Sequence, residues 1–186
     1  SSKTPSATPS AAATWSRPSV TFTNEDTSVW SRNDDLANTD KNSDSVHIEG
    51  YQFTNGQVCQ GYISQYVSEK YFTPHPTDGL QSMTDVSIKT DDYTTYQTTS
   101  TPSPVEAVRD DNGTIPGYEV GFSGNVNFSN APNTPVVGYR FSRTVGKEGY
   151  VLNVGLVCQT NTPASLEQWH TILAGIRVQG IDAGAM

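Results

Sequence analysis

No stretch of this chain approaches the roughly 18 consecutive apolar residues that a membrane-spanning helix needs. Basic side chains are scarce: 11 Lys and Arg stand against 19 Asp and Glu, a net charge of −8 and a pI near 4.7. Such a surface repels phosphate backbones and anionic lipid heads, which argues against nucleic acid and against polybasic membrane attachment. The usual nucleophile signatures are missing. "GFSG" at 121–124 lacks the G-x-S-x-G spacing of a nucleophile elbow, and no Ser-x-x-Lys occurs. "TVGKEG" contains Gly-Lys, but a phosphate loop needs a glycine where Phe141 stands. Histidine is limited to His47, His75 and His170.

Cysteine is equally rare. Cys59 lies in "NGQVCQGY" and Cys158 in "VLNVGLVCQT", both in apolar, strand-like surroundings. Two such thiols do not make a zinc site, which takes four N or S ligands, and no C-x-x-C redox motif is present. A Cys59–Cys158 disulfide is the expectation, with two buried free thiols as the alternative. On the chain-entropy argument, closing a loop of about 100 residues restricts the unfolded chain by about 4.7 kcal/mol, less any native strain.

What is present begins with a spacer. "SSKTPSATPSAAAT" contains no large apolar side chain and cannot bury enough surface to offset its ordering entropy. Residues 1–18 therefore read as a disordered Ser/Thr/Pro/Ala-rich segment of the kind found on surface proteins. A secretory leader is not visible, and a start inside a spacer suggests a signal or a lipid-anchored cysteine ahead of Ser1. Residues 19–181 read as a single domain and 182–186 as a flexible tail.

Within the domain, Val20 and Phe22 alternate with Thr21 and Thr23, which predicts a strand. Residues 24–49 gather seven acidic side chains, and "RNDDLANTDKNSDS" is a loop by composition. Asn55-Gly56 predicts a hairpin across 46–63, because both residues accept positive φ. "ISQYVSEKYF" fits either a helical face or a strand. "TPHPTDG" at 73–79 stops what precedes it. "TDVSIKT" and "DDYTTYQTTS" read as strands. Ser103, Pro104 and Glu106 form a capping-box pattern that predicts a short helix ending at Asp111-Asn112-Gly113. "GYEVGFSGNVNF" and "PVVGYRFSRTVGKEGYVLNVGLVCQT" supply three more strands, the last two joined by a hairpin at "VGKEG". A final helix is predicted with Thr162 as cap, Pro163 at its start, and Leu166, Trp169, Leu173 and Ile176 on one stripe. The pattern is α+β: about six mostly antiparallel strands, with the C-terminal amphipathic helix packed on the sheet.

The candidate chemistry is sparse. His170 follows the core residue Trp169 on the helix and should face solvent. His47 should oppose Val46 and Ile48 across its strand, and His75 lies in the proline-bracketed loop. Either one, with the acidic 34–44 loop, offers a conceivable metal site, against a solvated or hydrogen-bonded histidine. Asp40, Asn42 and Asp44 have the first spacings of a calcium loop. Ser45 and Tyr51 stand where its glycine and bidentate glutamate belong, which excludes an EF-hand and leaves a surface calcium site or a solvated loop. The doublets Asp34-Asp35, Asp91-Asp92 and Asp110-Asp111 point to opposite faces of any strand and mark turns or strand ends. Trp15 and Trp30 flank the first strand and are open to either packing or sugar stacking. Sequons at Asn112 and Asn127 matter only in a eukaryotic secretory host. No catalytic, cofactor-binding or metal-binding residue is assigned, and no cofactor is implied.

The order of parts, from "SVW" through "VVGYRFSRT…YVLNVGLVCQT" to "PASLEQWHTILAGIRV", resembles the Mog1/PsbP-like α/β/α sandwich, in particular the LpqN-type lipoproteins of actinobacteria. The resemblance spans residues 19–181 as architecture and rests most on the last 45. It implies a non-enzymatic binding or assembly module tethered outside the cytoplasmic membrane, with an envelope protein, lipid or glycan as partner. No family site residue maps onto this chain. An envelope hydrolase with a carboxylate–histidine site and a metal-dependent adhesin are the alternatives.

Overall fold

The computed structural model describes residues 18–22, 30–32, 38–39, 46–53, 56–67, 78–87, 94–128 and 130–183. Its frame is the hairpin of two long strands, β8 (Thr114–Phe128) and β9 (Ala131–Val145), which continues through a tight turn at Gly146–Glu148 into β10 (Tyr150–Gln159). Gly149 closes that turn at φ +59°, a left-handed conformation that glycine adopts without steric cost. The hairpin predicted at "VGKEG" is therefore present.

On the far edge of β10 lies β5 (Cys59–Val67), and beyond it β4 (Val46–Phe53). These two pair antiparallel, as the hairpin predicted across 46–63 requires, with Gly56 at φ +88°. The segment that fitted either structure resolves as strand as far as Val67, because its register against β10 continues to the Val67–Tyr150 pair. Two short strands, β2 (Trp30–Arg32) and β3 (Asn38–Thr39), pair with opposite ends of β4. On the other side of the hairpin, β6 (Thr94–Thr98) and β7 (Ser103–Arg109) share one edge of β8. Then come β11 (Ile176–Gln179), parallel to β7, and β1 (Ser19–Phe22) at the rim. The result is mixed α+β and mostly sheet, curled into a half-barrel. The described residues form 11 strands in one sheet, not about six. The undercount comes from β2, β3 and β11, of two to four residues and too short to show a period of their own, and from β7, whose sequence reads as a helix.

Two elements differ from their sequence reading in kind. Residues 103–109 are strand β7, not a helix. The Ser-x-x-Glu pattern makes no cap here, since Ser103 Oγ donates to Thr101 O; Val105 and Val108 pair with Gly117 and Ile115 of β8, and packing them there outweighs a one-turn cap. Pro104 sits near the start of the strand, where a missing donor is tolerated. Conversely, helix α1 (Asp78–Ser87) covers most of the predicted strand at 84–90. Asp78-Gly79 read as a stop, yet Asp78 opens the helix with its acidic first turn. Ser82, Thr84 and Ser87 donate back to the carbonyls of Asp78, Leu80 and Met83, so hydroxyls that favour strands are absorbed within the helix. Val86 and Ser82, four apart, are buried where α1 lies against β8 and β9.

The terminal helix α2 runs Leu166–Ala174. Its cap is Ser165, not Thr162: Ser165 Oγ accepts from Gln168 N while the Gln168 side chain accepts from Ser165 N. Trp169, Ile172 and Leu173 are buried, and Leu166, placed on the predicted stripe, is half exposed. Ile176 has left the helix and begins β11.

Register defines the faces of the sheet. One row crosses it as Ile63, Val154, Phe141 and Glu119; the next as Gly61, Leu156, Tyr139 and Gly121. The main core gathers on this face with Trp169, Leu173, Ile176 and Val178. Arg143 is in the same layer and fully buried. Its Nε donates to Thr144 O, Nη1 to Pro116 O and Nη2 to Ala183 O, with Asp78 at 3.9 Å. Ala183, which composition assigns to the tail, is thereby buried and held.

Candidate functional site

Two features sit side by side on the core face of the long hairpin. The first is built on Glu119 of β8. Gly117 and Gly121 flank it on the same face, and both are tightly covered. A Cβ at Gly117 would meet the Phe141 ring, and one at Gly121 would lie 2.8 Å from Thr99 Oγ1. The loop at 99–100 crosses Gly121, with Thr99 N donating to Gly121 O and Gly121 N donating to Ser100 Oγ. Trp169 of α2 lies on Tyr139, where the rings stack at 5.6 Å.

Glu119 receives the polar edge of that helix. Trp169 Nε1 donates to Oε2 at 2.8 Å, and His170 Nε2 lies 2.9 Å and 3.0 Å from the two carboxylate oxygens. Burial, and then the Glu119 charge, raise the Tyr139 phenol above its ordinary pKa, so it stays neutral. His170 thus departs from the solvated histidine expected: its side chain is 41% exposed but is paired with a carboxylate. A carboxylate that fixes an imidazole is an arrangement used in acid–base chemistry. No described serine, threonine, cysteine or lysine side chain hydrogen-bonds this imidazole.

The second feature is a depression of about 390 Å³ farther along the hairpin, lined by Gln97, Ser123, Gly124, Asn125, Pro135, Val136, Val137 and Thr160. It belongs to the register row that runs Cys59, Cys158, Val137, Ser123, Gln97 from β5 to β6. The predicted Cys59–Cys158 disulfide is present, with Cα atoms 4.0 Å apart on directly paired positions, so it closes one end of this row. Both cysteines are buried, and Cys59 Sγ lies 3.7 Å from Thr162 O in the loop leading to α2. Beside the disulfide, Val58 N donates to Thr162 Oγ1 and Gln57 bonds to Pro163 O and to Gln168. That end of the sheet and the start of α2 are therefore one connected unit.

Of the sequence candidates, Trp169 is core as expected, with 0% exposure. It offers no platform for a sugar. Asp110-Asp111 is a turn: Asp110 Oδ1 accepts from Asn112 N and Gly113 N. His47 is in β4 next to β3 and β5, and nothing is described of its side chain. His75, Trp15, the doublets Asp34-Asp35 and Asp91-Asp92, and the calcium-like Asp40, Asn42 and Asp44 lie outside the described residues. Among the described residues no group of three His, Cys, Asp or Glu side chains converges on a metal position. Sequence reasoning missed Glu119 altogether. Its signal was G-x-E-x-G at 117–121: a charge on the inward phase of an apolar strand, between two residues without side chains.

Protein-family models, curated proteins and solved structures were all compared with this chain, and none matches it. Its class rests on the fold alone: a mixed α+β domain, mostly sheet, with a buried cross-strand disulfide. Among the described residues, no helix is long and apolar enough to cross a membrane.

Proposed function

We propose that this protein is a non-enzymatic binding or assembly module working outside the cytoplasm, attached to the cell envelope or secreted. The observation that carries this reading is the depression on the β8–β9 face. Gln97, Ser123, Asn125 and Thr160 line it, and none of their side chains has a hydrogen-bond partner among the described residues. Polar side chains around a concavity, with their hydrogen-bonding capacity unused, suit recognition. Glu119, by contrast, is engaged by the helix it anchors. The disulfide supports the exterior address, because thiols are kept reduced in most cytosols. The Mog1/PsbP-like, LpqN-type assignment is part of this proposal and rests on the order of sequence elements. The test is affinity capture from native envelope material, comparing the intact protein with a Ser123→Trp variant that fills the depression. A partner retained by the first and lost by the second supports the module. Capture of nothing by either counts against it.

A second reading, a hydrolase, is favoured by one observation only, the Glu119–His170 pair. Turnover of ester, glycoside or peptide probes that disappears in His170→Ala would establish it. Equal background in both proteins would remove it.

A further inference from the structure

We infer that the depression on the β8–β9 face binds an uncharged saccharide. This rests on the binding-module reading and adds the chemical class of its ligand.

The argument begins with which groups remain available. In the floor of the depression the backbone is already used. Residues 122–126 of β8 pair with β6 on one edge and with β9 on the other, and residues 136–138 of β9 also pair with β10. An extended peptide binds a sheet by adding a strand to free main-chain groups; among the described residues β8 and β9 offer none in this floor, and only β6, which pairs with β8 alone, keeps an open edge beside it. What it offers is side chains: two carboxamides, Gln97 and Asn125, and two hydroxyls, Ser123 and Thr160. Each can both donate and accept. Sugar hydroxyls have the same dual character, so the two sets pair without either being left one-sided. Pro135 and Val137 place apolar surface beside these groups, suited to the C–H face of a pyranose or furanose ring.

Charge narrows the class further. No described lining residue is ionisable, so an ionic ligand would be desolvated without a counter-charge. The chain's net charge of −8 adds repulsion against phosphorylated or uronic polymers. The volume of about 390 Å³ falls near the lower end of ligand sites, which run from about 300 to 1,000 Å³. A short stretch of glycan fits that size better than an extended surface contact. The site is also fixed in shape. The disulfide row forms one end, and the hydrogen bond from Gly121 N to Ser100 Oγ holds the loop at the other.

The experiment is an amide-resolved NMR titration of the full chain with uncharged tetrasaccharides. The probes are cellotetraose, maltotetraose, mannotetraose, arabinotetraose and galactotetraose, with an uncharged decapeptide in parallel. The expected result is saturable shifts confined to residues 96–98, 122–126, 134–138 and 160 with at least one saccharide. Asn125→Ala and Gln97→Ala should each weaken that binding about tenfold, as expected for one lost hydrogen bond. Ser123→Trp should abolish it, and a dispersed spectrum would show that the variant is folded. Silence of the depression toward every saccharide at millimolar concentration overturns the inference, as does a response there to the peptide alone. The two proposals fail separately. A depression blind to sugars in a protein that still captures an envelope partner removes only the saccharide. Failure of both removes the module as well.

Discussion

Tyr150 shows how much one side chain can organise. It is fully buried, and its hydroxyl donates to Gln65 Oε1 at 3.0 Å while Gln65 Nε2 donates to Pro18 O. A phenol in β10 thus positions the chain entering β1. Burial raises its pKa far above the ordinary tyrosine value near 10. The folded protein therefore keeps a proton that the unfolded chain releases above about pH 10, and stability should fall as pH rises past that point. Urea denaturation between pH 8 and about 11 should show this decline, with a shallower one in Tyr150→Phe. At neutral pH the same substitution should cost about 1–3 kcal/mol, because it leaves the Gln65 acceptor buried and unmet. Arg143 is a comparable case with opposite charge chemistry. Burial lowers its pKa, and Asp78 and Asp110 oppose that shift. Arg143→Met should destabilise by about 3 kcal/mol or more, since the carbonyls of Thr144, Pro116 and Ala183 lose their donor and the Asp78 charge loses a counter-charge. A loss under 0.5 kcal/mol in chemical denaturation would mean that water reaches this site.

At the scale of elements, α2 is held by its ends and its face. Ser165 and Gln168 close the first turn reciprocally. Trp169 and His170 then fix the following turn on Glu119. Ser165→Ala should remove about 1 kcal/mol, read as a lower unfolding midpoint with the native circular dichroism retained. Only part of this helix was legible. Trp169 and Leu173 follow the apolar period, and they are core. The cap was misplaced by three residues because Thr162-Pro163 imitates a helix start. Here Thr162 Oγ1 instead accepts from Val58 N, a residue 104 positions away. The exchange of strand and helix at 84–87 and 103–109 has the same origin. Short segments carry weak propensities, and partners distant in sequence decide between them.

For the whole molecule the disulfide has the widest reach, joining residues 99 apart in sequence. It links strands that already pair over nine residue positions, so the native ladder does not depend on it. Its contribution should lie in the unfolded state, up to about 4.7 kcal/mol for a loop of this size. The double variant Cys59→Ser, Cys158→Ser should keep the native spectrum and unfold at distinctly lower urea. Mass spectrometry of native material should find no thiol open to alkylation until denaturant and reductant are both present. Free thiols in protein taken from its source would remove the case for an exterior location.

Several features follow from sequence alone, because they depend on local chemistry. The acidic balance, the hairpins across 46–63 and at "VGKEG", the turn at Asp110 and the buried phase of the last strands all reflect conformational or solvation preferences of neighbouring residues. Count and context favour a Cys59–Cys158 bond over two free thiols, and the fold shows that bond. Tertiary structure alone decided the rest. It set two disputed elements against their propensities and placed Glu119 beneath a helix begun nearly fifty residues later. It also aligned Gln97, Ser123 and Val137 with the disulfide in one row. The physical reason is register: a strand's side chains alternate every second residue, but only its pairing with other strands determines which of them meet.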